Sequence, residues 1–102
     1  MNKYFLILPV LLLGGCESCI QRATTVKALN GAIVQQSNLA YEGGLIEIDV
    51  YEEVDQYTDE ANLLTNEALP VCLSDESKGK AILRQARSYL LKSELLMRGE
   101  DE

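Results

Sequence analysis

Three runs of apolar and small residues, spaced alternately three and four apart, constrain this chain more than anything else in it. In the middle run Val50, Val54, Tyr57, Ala61, Leu64 and Ala68 step four, three, four, three, four. That spacing puts all six on one face of an α-helix. In the last run Ile82, Ala86, Tyr89 and Leu96 line one edge of a stripe, and Leu83, Leu90 and Met97 line the other. Ser74 reads as the N-cap of this third helix, Asp75 and Glu76 put negative charge in its first turn, and Gly99 follows Arg98 at its end. In the first run, between Arg22 and Tyr41, a seam forms from Ala23, Val26, Leu29, Ile33, Gln36 and Ala40, and Gly43-Gly44 stops it. Thr24, Thr25 and Gly31 lower its propensity, the glycine by about 1 kcal/mol relative to alanine. This helix therefore depends on burial of its seam.

Two places leave the boundaries to be decided. Pro70 disfavours helical geometry at Leu69 and is expected to close the second helix there. Ile46, Ile48 and Val50 alternate with Glu47 and Asp49 as in a strand, but no convincing partner strand exists elsewhere. A lone strand cannot satisfy its ladder, so helix or an extended lead-in is favoured. Asp49 followed by Glu52 offers a capping box that would move the helix start downstream. Three helices joined by short links pack as antiparallel neighbours, so the expected fold is all-α, a small antiparallel three-helix bundle.

Ahead of the first helix the sequence has a different character. Lys3 supplies a positive start, Phe5 to Leu13 an apolar run interrupted by Pro9, and Gly14-Gly15 a small pair before Cys16. The run is far shorter than the roughly twenty residues that span a bilayer, and it has the order of a secretory signal. Leu13-Gly14-Gly15-Cys16 resembles the lipobox of bacterial lipoproteins. The resemblance covers only this N-terminal stretch. It implies cleavage before Cys16 and diacylation of the Cys16 sulfur, with Leu13, Gly14 and Gly15 as the signal-peptidase recognition residues. Two acyl chains give stable anchoring where one does not. Glu17 follows, not the aspartate that resembles an inner-membrane retention signal, so the expected location is the periplasmic face of the outer membrane. The competing reading is an ordinary signal peptide with an incidental cysteine. The chain then divides into a signal peptide (1–15), a lipidated N-terminus and tether (16–21), a helical domain (22–98) and an acidic tail (99–102).

An acylated Cys16 leaves Cys19 and Cys72 as an even pair in an oxidising compartment, where a disulfide is the default. In an up-down-up bundle the start of the first helix and the link between the second and third lie at the same end, which brings the same two cysteines together. A redox or zinc motif at Cys16-Glu17-Ser18-Cys19 is the competing reading. It lacks supporting ligands, because the chain contains no histidine.

The formal charge is −7, and removal of residues 1–15 takes away one further cation, Lys3. This balance argues against nucleic acid, whose binding is driven by cations neutralising phosphate. Eight acidic residues and no basic one lie between Gly44 and Leu69. Folded about Cys72, Glu67, Glu60 and Glu53 fall opposite Lys78, Arg84 and Lys92 as rim pairs, each worth under about 1 kcal/mol. Glu52, Asp55 and Asp59 form a separate stripe that could face a basic protein partner. Calcium, which takes roughly six to eight oxygens in a cage, fits such a line of carboxylates poorly.

Without histidine there is no base for a serine or cysteine nucleophile and no Glu-x-x-His metal pair. No catalytic residue, metal site, cofactor or small-molecule substrate is expected. The reading is a membrane-anchored interaction or assembly module with an envelope protein partner. In architecture it is similar to some pilotins, whose groove accepts a client helix. Leu63, Leu69 and Leu95 are the candidate anchors for such a helix. The alternatives are a plasmid- or phage-encoded exclusion or lysis accessory, or a lipoprotein that self-associates through its heptad seams.

Overall fold

The computed structural model describes residues 18–99, which form three helices: α1 (Cys19–Glu42), α2 (Ile48–Ser74) and α3 (Glu76–Met97). All three pack on one another as an up-down-up bundle, α2 and α3 most extensively. The expected all-α class, helix number and topology are those observed.

Each helix end has an identifiable cause. Ser18 caps α1 through a capping box: its Oγ accepts from the Gln21 amide at 3.1 Å, and its own amide donates to Gln21 Oε1 at 3.0 Å. The helix therefore begins at Cys19, inside the segment expected to be a tether. At the other end the Leu45 amide donates to the Ala40 carbonyl and the Gly44 amide to that of Tyr41. This paired closure needs a left-handed residue, and Gly44 supplies it with φ +76°. The undecided stretch is split by this motif: residues 45–47 complete the link, and Ile48 to Val50 form the first turn of α2. The Asp49–Glu52 capping box does not form. Glu47 is the cap residue, and the Asp49 carboxylate accepts from the amide of Val50.

Pro70 lies inside α2, which continues to Ser74. Pro70 is on the exposed face, so the carbonyl that loses its amide partner there is on the hydrated side of the helix. One more turn buries Cys72, and that burial outweighs the break. Ser74 is accordingly the last residue of α2, not the cap of α3. Asp75 alone makes the junction: its amide donates to the Val71 carbonyl, and its Oδ1 accepts from the Lys78 amide at 3.2 Å. A carboxylate at the positive end of a helix is the stronger acceptor of the two candidates.

The buried seams are Cys19, Ala23, Val26, Asn30, Ile33 and Ser37 on α1, and Val54, Thr58, Ala61, Thr65, Ala68 and Cys72 on α2. Gly79, Leu83, Ala86, Leu90 and Ser93 complete the core from α3. Ala23, Val26 and Ile33 of α1 and Val54, Ala61 and Ala68 of α2 are buried as expected, but at the positions between or after them two seams run one residue away from the expected one. Asn30 and Ser37 are buried where Leu29 and Gln36 are expected, and Thr58 and Thr65 where Tyr57 and Leu64 are expected. Short side chains let the helices approach closely, while Leu29, Leu64 and Tyr89 flank the seam. Their polar atoms are all satisfied among the described residues. Thr65, Thr58, Ser37 and Ser93 return their hydroxyls to carbonyls of their own helices. Asn30 Nδ2 reaches across to the Thr58 carbonyl at 2.9 Å.

Candidate functional site

The two ends of the bundle are built differently. At one end three helix termini converge: the start of α1, the end of α2 and the start of α3. Cys19 and Cys72, 53 residues apart in sequence, are joined here by a disulfide with a Cα–Cα distance of 5.5 Å. Cys19 donates its amide to Glu76 Oε2 at 2.9 Å. The first turn of α1 has no acidic residue of its own, so Glu76 of α3 supplies the favourable negative charge at that terminus. Gly79 packs directly on the bridge: a Cβ at this position would lie 2.6 Å from the Cys19 sulfur and 2.8 Å from that of Cys72. The sequence carried a signal for this contact, a glycine seven residues after Cys72 and seven before Ala86, in the seam register. Leu13, Gly14, Gly15 and Cys16 lie outside the described residues.

Glu52, Asp55 and Asp59 are all exposed on α2. The α1 edge of α2 is marked by Tyr51, whose hydroxyl donates to Asn38 Oδ1 at 2.6 Å, and by Asn66, which accepts from Lys27 Nζ at 2.8 Å. The α3 edge is marked by Tyr57, stacked on Tyr89. Helical rotation puts the three carboxylates outboard of the α1 edge, beside a part of α1 with no basic residue from Ala28 to Glu42. The basic residues of α3 lie on the other side. Of the expected rim pairs, Glu53–Lys92 is replaced by a different contact: Lys92 Nζ sits 5.8 and 5.5 Å from the ring centroids of Tyr57 and Tyr89. Close ion pairs joining Glu60 to Arg84 or Glu67 to Lys78 do not occur among the described residues. No group of three potential metal ligands occurs among them either.

At the opposite end α1 and α3 part into a cleft of about 520 Å³. Leu39 and Ala40 of α1, Leu45 and Ile46 of the link and Met97 of α3 form its apolar walls, with Gln36, Glu94 and Arg98 at the rim. A shallower hollow of about 300 Å³ shares Gln36, Leu39 and Glu94 with it and extends along α1 to Leu29. Together they make a groove. The anchors expected from sequence lie elsewhere: Leu69 packs against the disulfide cluster, Leu95 is half-buried, and Leu63 is exposed on the outer side of α2. Groove residues are legible only once the Gly43-Gly44 closure turns Leu45 and Ile46 back toward Met97.

No family model, curated protein or solved structure matches the chain. No helix among the described residues is long and apolar enough to cross a membrane.

Proposed function

We propose that this protein is a lipoprotein anchored through Cys16 at the periplasmic face of the outer membrane, and that its helical domain is an interaction module for another envelope protein. The observation that carries this reading is the disulfide. A Cys19–Cys72 bridge belongs to an oxidising compartment, and it pairs the two cysteines left over when Cys16 is acylated. The bridge begins three residues after Cys16, so a lipid there would hold the rigid end of the bundle close to the bilayer. The groove end would then stand a helix length away, roughly 30 Å by the rise of an α-helix, and face the periplasm. A groove at the free end and a covalent staple at the anchored end suit a protein that holds a partner near the membrane.

The test is the intact mass of the protein extracted from membranes, measured with and without reductant. The expected result is a chain starting at Cys16, heavier by its lipid, that gains two hydrogens on reduction. Recovery of an unacylated chain from the soluble fraction would exclude the anchor. A Cys16→Ser variant is expected to lose the lipid mass and its membrane fractionation while retaining the Cys19–Cys72 bridge.

A further inference from the structure

We propose that the groove between α1 and α3 receives a cationic amphipathic helix of a protein partner. This rests on the reading of the domain as an interaction module and adds the chemistry of what it binds. Leu39 and Leu45, both on the groove wall, are 64 and 81 % exposed. Large apolar side chains left uncovered around one concave surface mark a contact site more strongly than the same residues scattered singly. From Leu29 to Ala40 the groove follows α1 for about 17 Å, three turns, which matches a client stripe at i, i+4, i+7 and i+11.

Charge selects the occupant. No lysine or arginine occurs from Ala28 to Ser77, a span that includes the α1 wall, the link and the start of α2. Glu42, Glu47 and Asp49, all exposed, flank the link residues Leu45 and Ile46 in sequence, and Glu94 stands on the α3 rim. Among the described residues that line the groove, Glu94 and Arg98 carry one charge of each sign, so the acidic excess comes from the link and the start of α2 around it. A helix with leucines on one face and lysines or arginines flanking them complements this surface. A second copy of the same chain would bring carboxylates against carboxylates. An anionic lipid headgroup would meet the same repulsion. The chain's own Phe5–Leu13 segment joins the bundle at Ser18, about 30 Å of helix away from Leu39.

The experiment uses the membrane-extracted protein and, in parallel, the unprocessed 1–102 chain, each in nanodiscs of zwitterionic phosphatidylcholine, with empty nanodiscs as the blank. The probe is a designed leucine-lysine amphipathic helix carrying one tryptophan. The protein has no tryptophan, so the fluorescence reports the probe alone. A leucine-glutamate helix of identical apolar face is the counter-probe. The lysine helix is expected to bind at least about tenfold more tightly, with an affinity that falls as salt rises. It should shift methyl resonances of Leu39, Leu45, Ile46 and Met97 and leave those of Leu63 and Leu73 in place. Leu45→Asp should remove binding at unchanged melting temperature, and Glu47→Lys with Asp49→Lys should shift the preference toward the glutamate helix. Equal affinity for the two helices would overturn the proposal, as would shifts centred on Leu63 and Leu73. Self-association that protects the groove methyls at micromolar concentration would assign the site to a second copy. Binding that appears only after residues 1–15 are removed would assign it to the leader. An unacylated Cys16 with intact lysine-helix binding would remove the anchor alone; an acylated Cys16 without binding would remove the groove assignment alone.

Discussion

Gly79 and Gly31 are both helical glycines, yet their surroundings predict opposite outcomes for the same substitution. Gly79 is buried against the two cysteine sulfurs, and a methyl there forces the bridge or the α3 backbone to move. Gly79→Ala is expected to destabilise the oxidised protein by about 1–3 kcal/mol, the usual cost of overpacking. Gly31 is exposed, and a Cβ added there meets nothing within 4 Å. Gly31→Ala should stabilise by about 0.5–1 kcal/mol, because alanine loses less backbone freedom in a helix. Urea titrations of both variants check the pair, and a destabilised Gly31→Ala would contradict the open surroundings of that position. Asn30 gives a second contrast. Its amide donates to the Thr58 carbonyl, so Asn30→Asp sets an acceptor against an acceptor in a buried place. The loss should exceed that of Asn30→Ala by about 1 kcal/mol or more, since an unmatched buried polar group costs more than a missing one.

Among the helices, α1 is held least by packing and most by covalent and capping contacts at one end. α2 and α3 share the largest contact and are joined by a single residue, Asp75. Reduction of Cys19–Cys72 opens a loop of 53 residues and should cost about 4 kcal/mol by loop-closure entropy. The loss is expected to fall unevenly. In hydrogen exchange after mild reduction, α1 amides should lose protection before those of α2 and α3; simultaneous loss in all three would show that α2 and α3 cannot persist without α1. The existence and order of these helices were legible because their periodicity extends over many turns. Their boundaries were less so. Pro70 argued locally for an end at Leu69, but burial and bridging of Cys72, a long-range effect, carried α2 one turn further. Apolar spacing dominates the seams legible in the sequence, and it does not point to Asn30, Thr58 and Thr65. Small polar residues enter a core when their own carbonyls or a neighbouring helix satisfy them, and spacing alone does not show that. The disulfide was legible because cysteine parity and topology pointed to the same pair, whereas the groove depended on where a five-residue link folds.

For the molecule as a whole, Ile33 and Met97 belong both to the packing of the bundle and to the walls of the groove, whereas Leu39 and Leu45 at its free end stand outside the core. Leu39→Asp and Leu45→Asp should therefore change folding stability by no more than about 0.5 kcal/mol, as exposed sites usually do. Leu83→Ala or Leu90→Ala, both fully buried, should cost about 2–5 kcal/mol. Thermal melts of the four variants check this division, and a large loss from Leu45→Asp would show that the tip belongs to the core. The cross-link at the base also decides how the molecule bears mechanical load. Under the proposed anchoring through Cys16, a pull between that anchor and a partner at the tip would reach α1 and, through the bridge, the end of α2 at the same moment. Tension then runs along the helix axes and loads whole rows of side-chain contacts in shear, where a peeling force would break them one turn at a time. Once reduced, the same chain would be pulled by the end of α1 alone, and that helix would strip away from its neighbours starting at Cys19.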